Sequence, residues 1–170
     1  MRGYFICETH MKATGEKLAK ILACDDGCVI FLHNTRSEAV AKKILAEGFT
    51  FQNQLYYSTD RINPNDGVEI SYFLVERKEY GDYTIIIKIS RSLFKKIYSF
   101  AEDSGHHLEE VLSINEPVLG DDDEYVYTIS PHYVMGYFNN KTGALTCNPD
   151  FDPEHMAANW LDNINRIRNE

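Results

Sequence analysis

The chain has 170 residues, 44% hydrophobic and 25% charged, which excludes a disordered or fibrous chain and points to one water-soluble globular domain over 1–170. Such a length buries roughly 70% of the surface its unfolded form exposes, so no disulfide or metal staple is required. Lys plus Arg number 17 against 26 Asp plus Glu, a formal charge of −9 that disfavours nucleic acid and anionic membranes as partners, since both reward a positive surface.

The periodicity predicts an opening amphipathic helix over Glu8 to Cys24, with Met11, Leu18, Ile21 and Leu22 on one face and lysines opposite. Cys28 to Leu32 is a short unbroken apolar run behind a turn, the pattern of a buried strand, and it delivers His33 to the strand's end. Ser37 is positioned to cap a helix from Glu38 to Ala46 that stops at Gly48. Phe49 to Phe51 and Leu55 to Ser58 then read as two short strands, and Arg61 to Gly67 carries loop chemistry. Val68 to Val75 fits either a strand or a helix by periodicity and is taken as a strand, because Lys78 to Asp82 reads as a hairpin leading to a second strand over Tyr83 to Ile89.

Ser90 or Ser92 opens a helix through Glu102, followed by a short segment over Leu108 to Leu112. Pro117 to Gly120 leads into the acidic run Asp121 to Glu124, and strands follow at Tyr125 to Ile129 and Val134 to Phe138. The tail, 149–170, is expected to close in a helix from Glu154 to Arg168. This order of elements is α+β.

The cysteines, Cys7, Cys24, Cys28 and Cys147, lack the paired spacing of a zinc site, so no metal is expected and the thiols read as reduced and mostly buried. No apolar run approaches the roughly 20 residues of a membrane span, and Cys7, Glu8, Thr9 and His10 interrupt any leader. The expected compartment is cytoplasmic. Dinucleotide-fold, Walker, zinc-protease and esterase signatures are absent.

Three places combine a strand with residues a core does not demand. His33 begins a polar run with Asn34, Thr35 and Arg36 at a strand-to-helix junction, where a helix N-terminus favours a phosphate or ribose hydroxyl. Tyr56 and Tyr57 are adjacent on a presumed strand, so one packs inward while the other lines a cleft, with Ser58 beside them. Glu124 lies where a solvated acidic turn gives way to a strand. The bland alternatives are a turn histidine, structural tyrosines and a solvated loop.

Taken in order, the segments Val29 to Arg36, Ile44 to Phe49, Leu55 to Thr59, Pro117 to Gly120 and Asp123 to Tyr127 resemble the ADP-ribosyltransferase superfamily in its histidine-tyrosine-glutamate branch, over residues 28 to 138. The resemblance implies a split, mostly antiparallel β-sheet with flanking helices, and NAD as substrate. On the same resemblance, His33, Tyr56 and Glu124 are the catalytic set: His33 bonds a ribose of NAD, Tyr56 or Tyr57 stacks on nicotinamide, and Glu124 holds the nicotinamide ribose. Asn34, Thr35, Arg36 and Ser58 complete the NAD site. Asn34 stands where the family has glycine, and the family's second stacking tyrosine has no clear counterpart between Asn63 and Val75.

The implied activity is mono-ADP-ribosylation of a macromolecular acceptor, expected to be a protein. The alternative is an inactive module of the same fold that binds a protein or a nucleotide-like ligand. An RNA 2'-phosphotransferase is disfavoured, because the chain offers few cations near the expected cleft to seat a phosphate.

Overall fold

The computed structural model describes residues 14–76, 81–114, 116–156, 165 and 169. A helix, α1, covers 14–22, and β1 (Cys28–Thr35) follows. Next come α2 (Glu38–Glu47), β2 (Phe49–Gln52), the single turn α3 (Leu55–Ser58), β3 (Asp60–Ile62) and α4 (Gly67–Glu76). The second half runs β4 (Tyr83–Ser90), α5 (Arg91–Ser104), α6 (Leu108–Leu112), β5 (Val118–Leu119), β6 (Tyr125–Ile129), β7 (Val134–Asn139) and β8 (Leu145–Cys147).

The strands form two separate antiparallel sheets among the described residues, one ordered β3-β1-β4-β7-β8 and the other β2-β6-β5. The class is α+β. The larger sheet is covered on both faces, which is why β1 and β4 read as continuous apolar runs instead of alternating ones. Val29, Phe31, Ile85, Ile87 and Ile89 face the smaller sheet and α5, meeting Phe49, Phe51, Tyr127 and Ile129. Their neighbours Ile30, Leu32 and Ile86 face the other way, against Leu18 and Leu22 of α1 and Ile70 and Phe73 of α4.

Local chemistry explains where α2 begins and ends. The Ser37 hydroxyl accepts the Val40 N–H at 3.3 Å, Ala41 and Ile44 are buried one turn apart, and Gly48 turns the chain at φ 100°. A Cβ at Gly48 would lie 2.2 Å from the Ile129 carbonyl oxygen, so only glycine lets β2 close onto β6 there. In α5, Leu93, Phe94, Ile97 and Ala101 recur at helical spacing and are buried.

Several expectations are corrected. Val68 to Val75 is helix rather than strand: the Asp66 carboxylate accepts the Val68 and Glu69 N–H groups at 3.0 Å, and Ile70 and Phe73 are buried three residues apart. Leu55 to Ser58 is a helical turn rather than a strand. Val118 and Leu119, read as loop, form the short edge strand β5. Cys24 and Cys147 are exposed and only Cys28 is buried, while Cys7 lies outside the described residues.

The opening helix is present over 14–22, its expected residues 8–13 lying outside the described range, as do 77–80 of the expected hairpin. Glu154 to Met156 is turn and coil instead of a helix start, and the tail beyond lies almost wholly outside that range. No helix among the described residues is long and apolar enough to cross a membrane.

Candidate functional site

His33 does not close β1 as expected: the strand runs on to Thr35, and His33, paired with Ile85, continues the face of Val29 and Phe31 because side chains of a strand alternate, and so points toward the smaller sheet. Its half-buried ring packs on Phe49, with centroids 4.9 Å apart. Its Nδ1 lies 2.7 Å from the Ser58 carbonyl oxygen, 25 residues along the chain. A carbonyl only accepts, so Nδ1 carries the hydrogen, and in the neutral ring Nε2 is left as an acceptor.

Asn34 takes the opposite face. Its Oδ1 accepts the Thr84 hydroxyl at 2.8 Å, and Thr84 in turn accepts the Asn140 amide at 3.0 Å. The Asn34 side chain is therefore drawn across the sheet toward β4, away from the His33 face. The Thr35 hydroxyl accepts the Ser37 N–H at 3.3 Å, and Gly81 passes so near that a Cβ there would lie 2.4 Å from the Thr35 carbonyl carbon. Arg36 is exposed.

The tyrosine pair departs from expectation. On a helical turn Tyr56 and Tyr57 do not alternate in and out, and both are exposed, at 57% and 75%. Leu55 is the buried anchor. Its N–H is accepted by the Glu109 carboxylate at 3.2 Å, and its carbonyl takes the Thr59 hydroxyl at 2.8 Å. Glu109, from α6, is only 7% exposed. This turn starts where β2 stops, at Asn53, whose left-handed backbone (φ 60°) ends the strand.

Glu124 is half-buried before β6 begins, and its Oε1 accepts the Asn53 amide at 2.9 Å. The Asn53 N–H donates to the Tyr125 carbonyl at 3.0 Å, which fixes Glu124 beyond the far end of β2. His33 packs at the Phe49 end of that strand, and from Phe49 to Asn53 is about 13 Å of extended chain. His33, Phe49 and Ser58 are thus brought into contact, whereas Glu124 is joined to them only through β2 and α3. Behind the turn, burial and the Glu110 and Glu109 carboxylates push the Tyr127 phenol up from its ordinary value.

Glu109, Asn53 and Phe49 are part of this corner and were not identified from sequence. Each acts through a contact to a distant or turn residue, and nothing in the neighbouring residues signals it. Among the described residues no group of three or more His, Cys, Asp or Glu is arranged to hold a metal ion. Neither a family model nor a curated protein nor a solved structure matches the chain.

Proposed function

We propose that the chain is an NAD-dependent mono-ADP-ribosyltransferase whose NAD site is the corner between the end of β1 and α3. The observation that carries this reading is the His33 to Ser58 bond, which ties the imidazole to the tyrosine-bearing turn and leaves Nε2 to accept a ribose hydroxyl. Two antiparallel sheets, one carrying His33 near the end of β1 and the other entered through Glu124, agree with the split sheet that the sequence resemblance implies.

Nicotinamide in NAD is cationic and leaves as a neutral base, so the carbon–nitrogen bond breaks with its electron pair passing to the ring nitrogen. The sugar carbon gains cationic character, which a fixed carboxylate such as Glu124 stabilises electrostatically. The acceptor nucleophile then bonds to that carbon and gives up its proton to the carboxylate or to water. An exposed tyrosine ring of α3 offers a face for the planar leaving group.

A second reading is a module of the same architecture that binds a nucleotide-like ligand without turnover. It is favoured by the separation of Glu124 from His33 along β2. The test is release of free nicotinamide from NAD by the full chain. Release abolished in Glu124→Gln and retained in Asp122→Asn supports the transferase. NAD binding without release supports the module, and neither binding nor release overturns both.

A further inference from the structure

At the opposite end of β1 from His33, about 17 Å along the strand, a cleft of about 550 Å³ opens between β3, the loop after it and the start of α5. Its walls combine two arginines with an apolar floor. Arg61, on the edge strand β3, lies with its guanidinium 5.4 Å over the Phe94 ring and pairs with no carboxylate among the described residues. Arg91 spends one nitrogen on Asp25, at 2.5 Å, which leaves the rest of its N–H fork for another partner. Asn63 gives its backbone N–H to Glu69 and its Oδ1 to the Asn65 N–H, so its side-chain amide remains a donor.

Of the carboxylates nearby, Asp25 takes the Gly27 N–H, Arg91 and Asn65, and Asp26 takes Lys88, while Glu69 lines the cleft and takes the Asn63 N–H without a cation partner among the described residues. The floor is Pro64 with the nearly covered edges of Val29 and Ile62, which belong to opposite faces of the larger sheet, beside the Cys28 thiol. Burial, with Asp26 beside it, pushes that thiol up to about 11, so it is a neutral part of the floor.

We infer that this cleft is a second ligand site, for a small organic molecule that sets an apolar body against Pro64 and the edges of Val29 and Ile62 and an oxyanion against Arg61 and Arg91. Its volume falls in the range of small-molecule sites and exceeds what an isolated ion needs. Guanidinium forks match the planar carboxylate and the phosphate oxygens alike. Arg61 has no carboxylate partner among the described residues, so its fork is available to an anion at this edge, with the Glu69 carboxylate on the opposing side of the balance. The site shares no lining residue with the His33 corner, so it stands whether or not the chain turns over NAD.

The test is NMR titration of the full chain with phenyl phosphate, benzoate and inorganic phosphate. Shifts of the 28–29, 61–63 and 65 amides with phenyl phosphate or benzoate, weakened about tenfold or more in Arg61→Ala, are expected. The stronger of these two probes identifies the oxyanion. Arg61→Lys keeps the charge without the fork and is expected to recover only part of the affinity. Inorganic phosphate matching phenyl phosphate would overturn the apolar half of the site. The same shifts in Arg61→Ala as in the parent, or none with either organic probe, would overturn it altogether.

Discussion

The imidazole rings of His132 and His155 lie stacked, 3.6 Å between centroids and 8° from parallel. The contact pins the segment after β8 to the turn before β7. Asp152 donates its N–H to the His132 carbonyl, Tyr133 bonds the His155 carbonyl, and the Ser90 N–H reaches the Pro153 carbonyl at 2.8 Å. Burial, then the neighbouring His132, hold His155 below its ordinary 6.5, while Asp152 works in the other direction. The unfolded chain therefore binds the proton at a higher pH than the folded one. Stability is full above about pH 6.5 and is lost as pH falls through the depressed value. Urea midpoints from pH 8 to pH 5 should show this fall, and His155→Phe, which keeps a ring without a titrating group, should flatten it. An unchanged slope in that variant refutes the assignment.

His33 is expected as the Nδ1–H tautomer at neutral pH, because its partner, the Ser58 carbonyl, has no hydrogen to give. Nitrogen-15 spectra of the imidazole distinguish the two tautomers directly. A neutral ring protonated on Nε2 would remove both the bond to Ser58 and the acceptor that the proposed NAD site needs.

Glu109→Ala should destabilise the chain by about 1–3 kcal/mol, since it strands the buried Leu55 N–H without an acceptor. Glu109→Gln retains an oxygen at the same reach and should cost less. Urea unfolding measures both, and equal losses in the two variants would place the effect in packing rather than in the bond.

Lys88 is 3% exposed, and its ammonium lies 2.8 Å from Asp26, which is itself partly exposed. Burial raises the Asp26 carboxyl, but the bond and the charge of Lys88 outweigh it and hold the group below 3.8. Asp26→Asn leaves the ammonium buried without its counter-charge, a loss of about 2 kcal/mol, between the exposed and buried regimes. Lys88→Met should cost less than Asp26→Asn. In the parent chain this contribution is present above the ordinary carboxyl value and disappears as pH falls through the depressed one. Denaturant curves at neutral pH and near pH 3 check both statements.

Elements whose signal is local and redundant are legible in the order of residues alone. Cys28 to Leu32 and Tyr83 to Ile89 carry enough consecutive apolar residues for a strand covered on both faces, and Ser37 and Gly48 mark both ends of α2. That order marked His33 as the place where burial eases, but not where the strand stops, since Asn34 and Thr35 go on pairing with Thr84 and Tyr83 of β4. That Val68 to Val75 is helical emerges with folding, since its high apolar content fits either period until Asp66 caps it and α4 docks on the larger sheet. The tyrosine turn was decided the same way: Leu55 is held by Glu109, 54 residues away, and that long-range bond replaces the strand that Leu-Tyr-Tyr-Ser favours locally. Which strands pair, and which side chains meet at the corner between His33 and Ser58, depend on contacts between segments far apart in the chain, and a pattern of neighbours contains no term for such contacts.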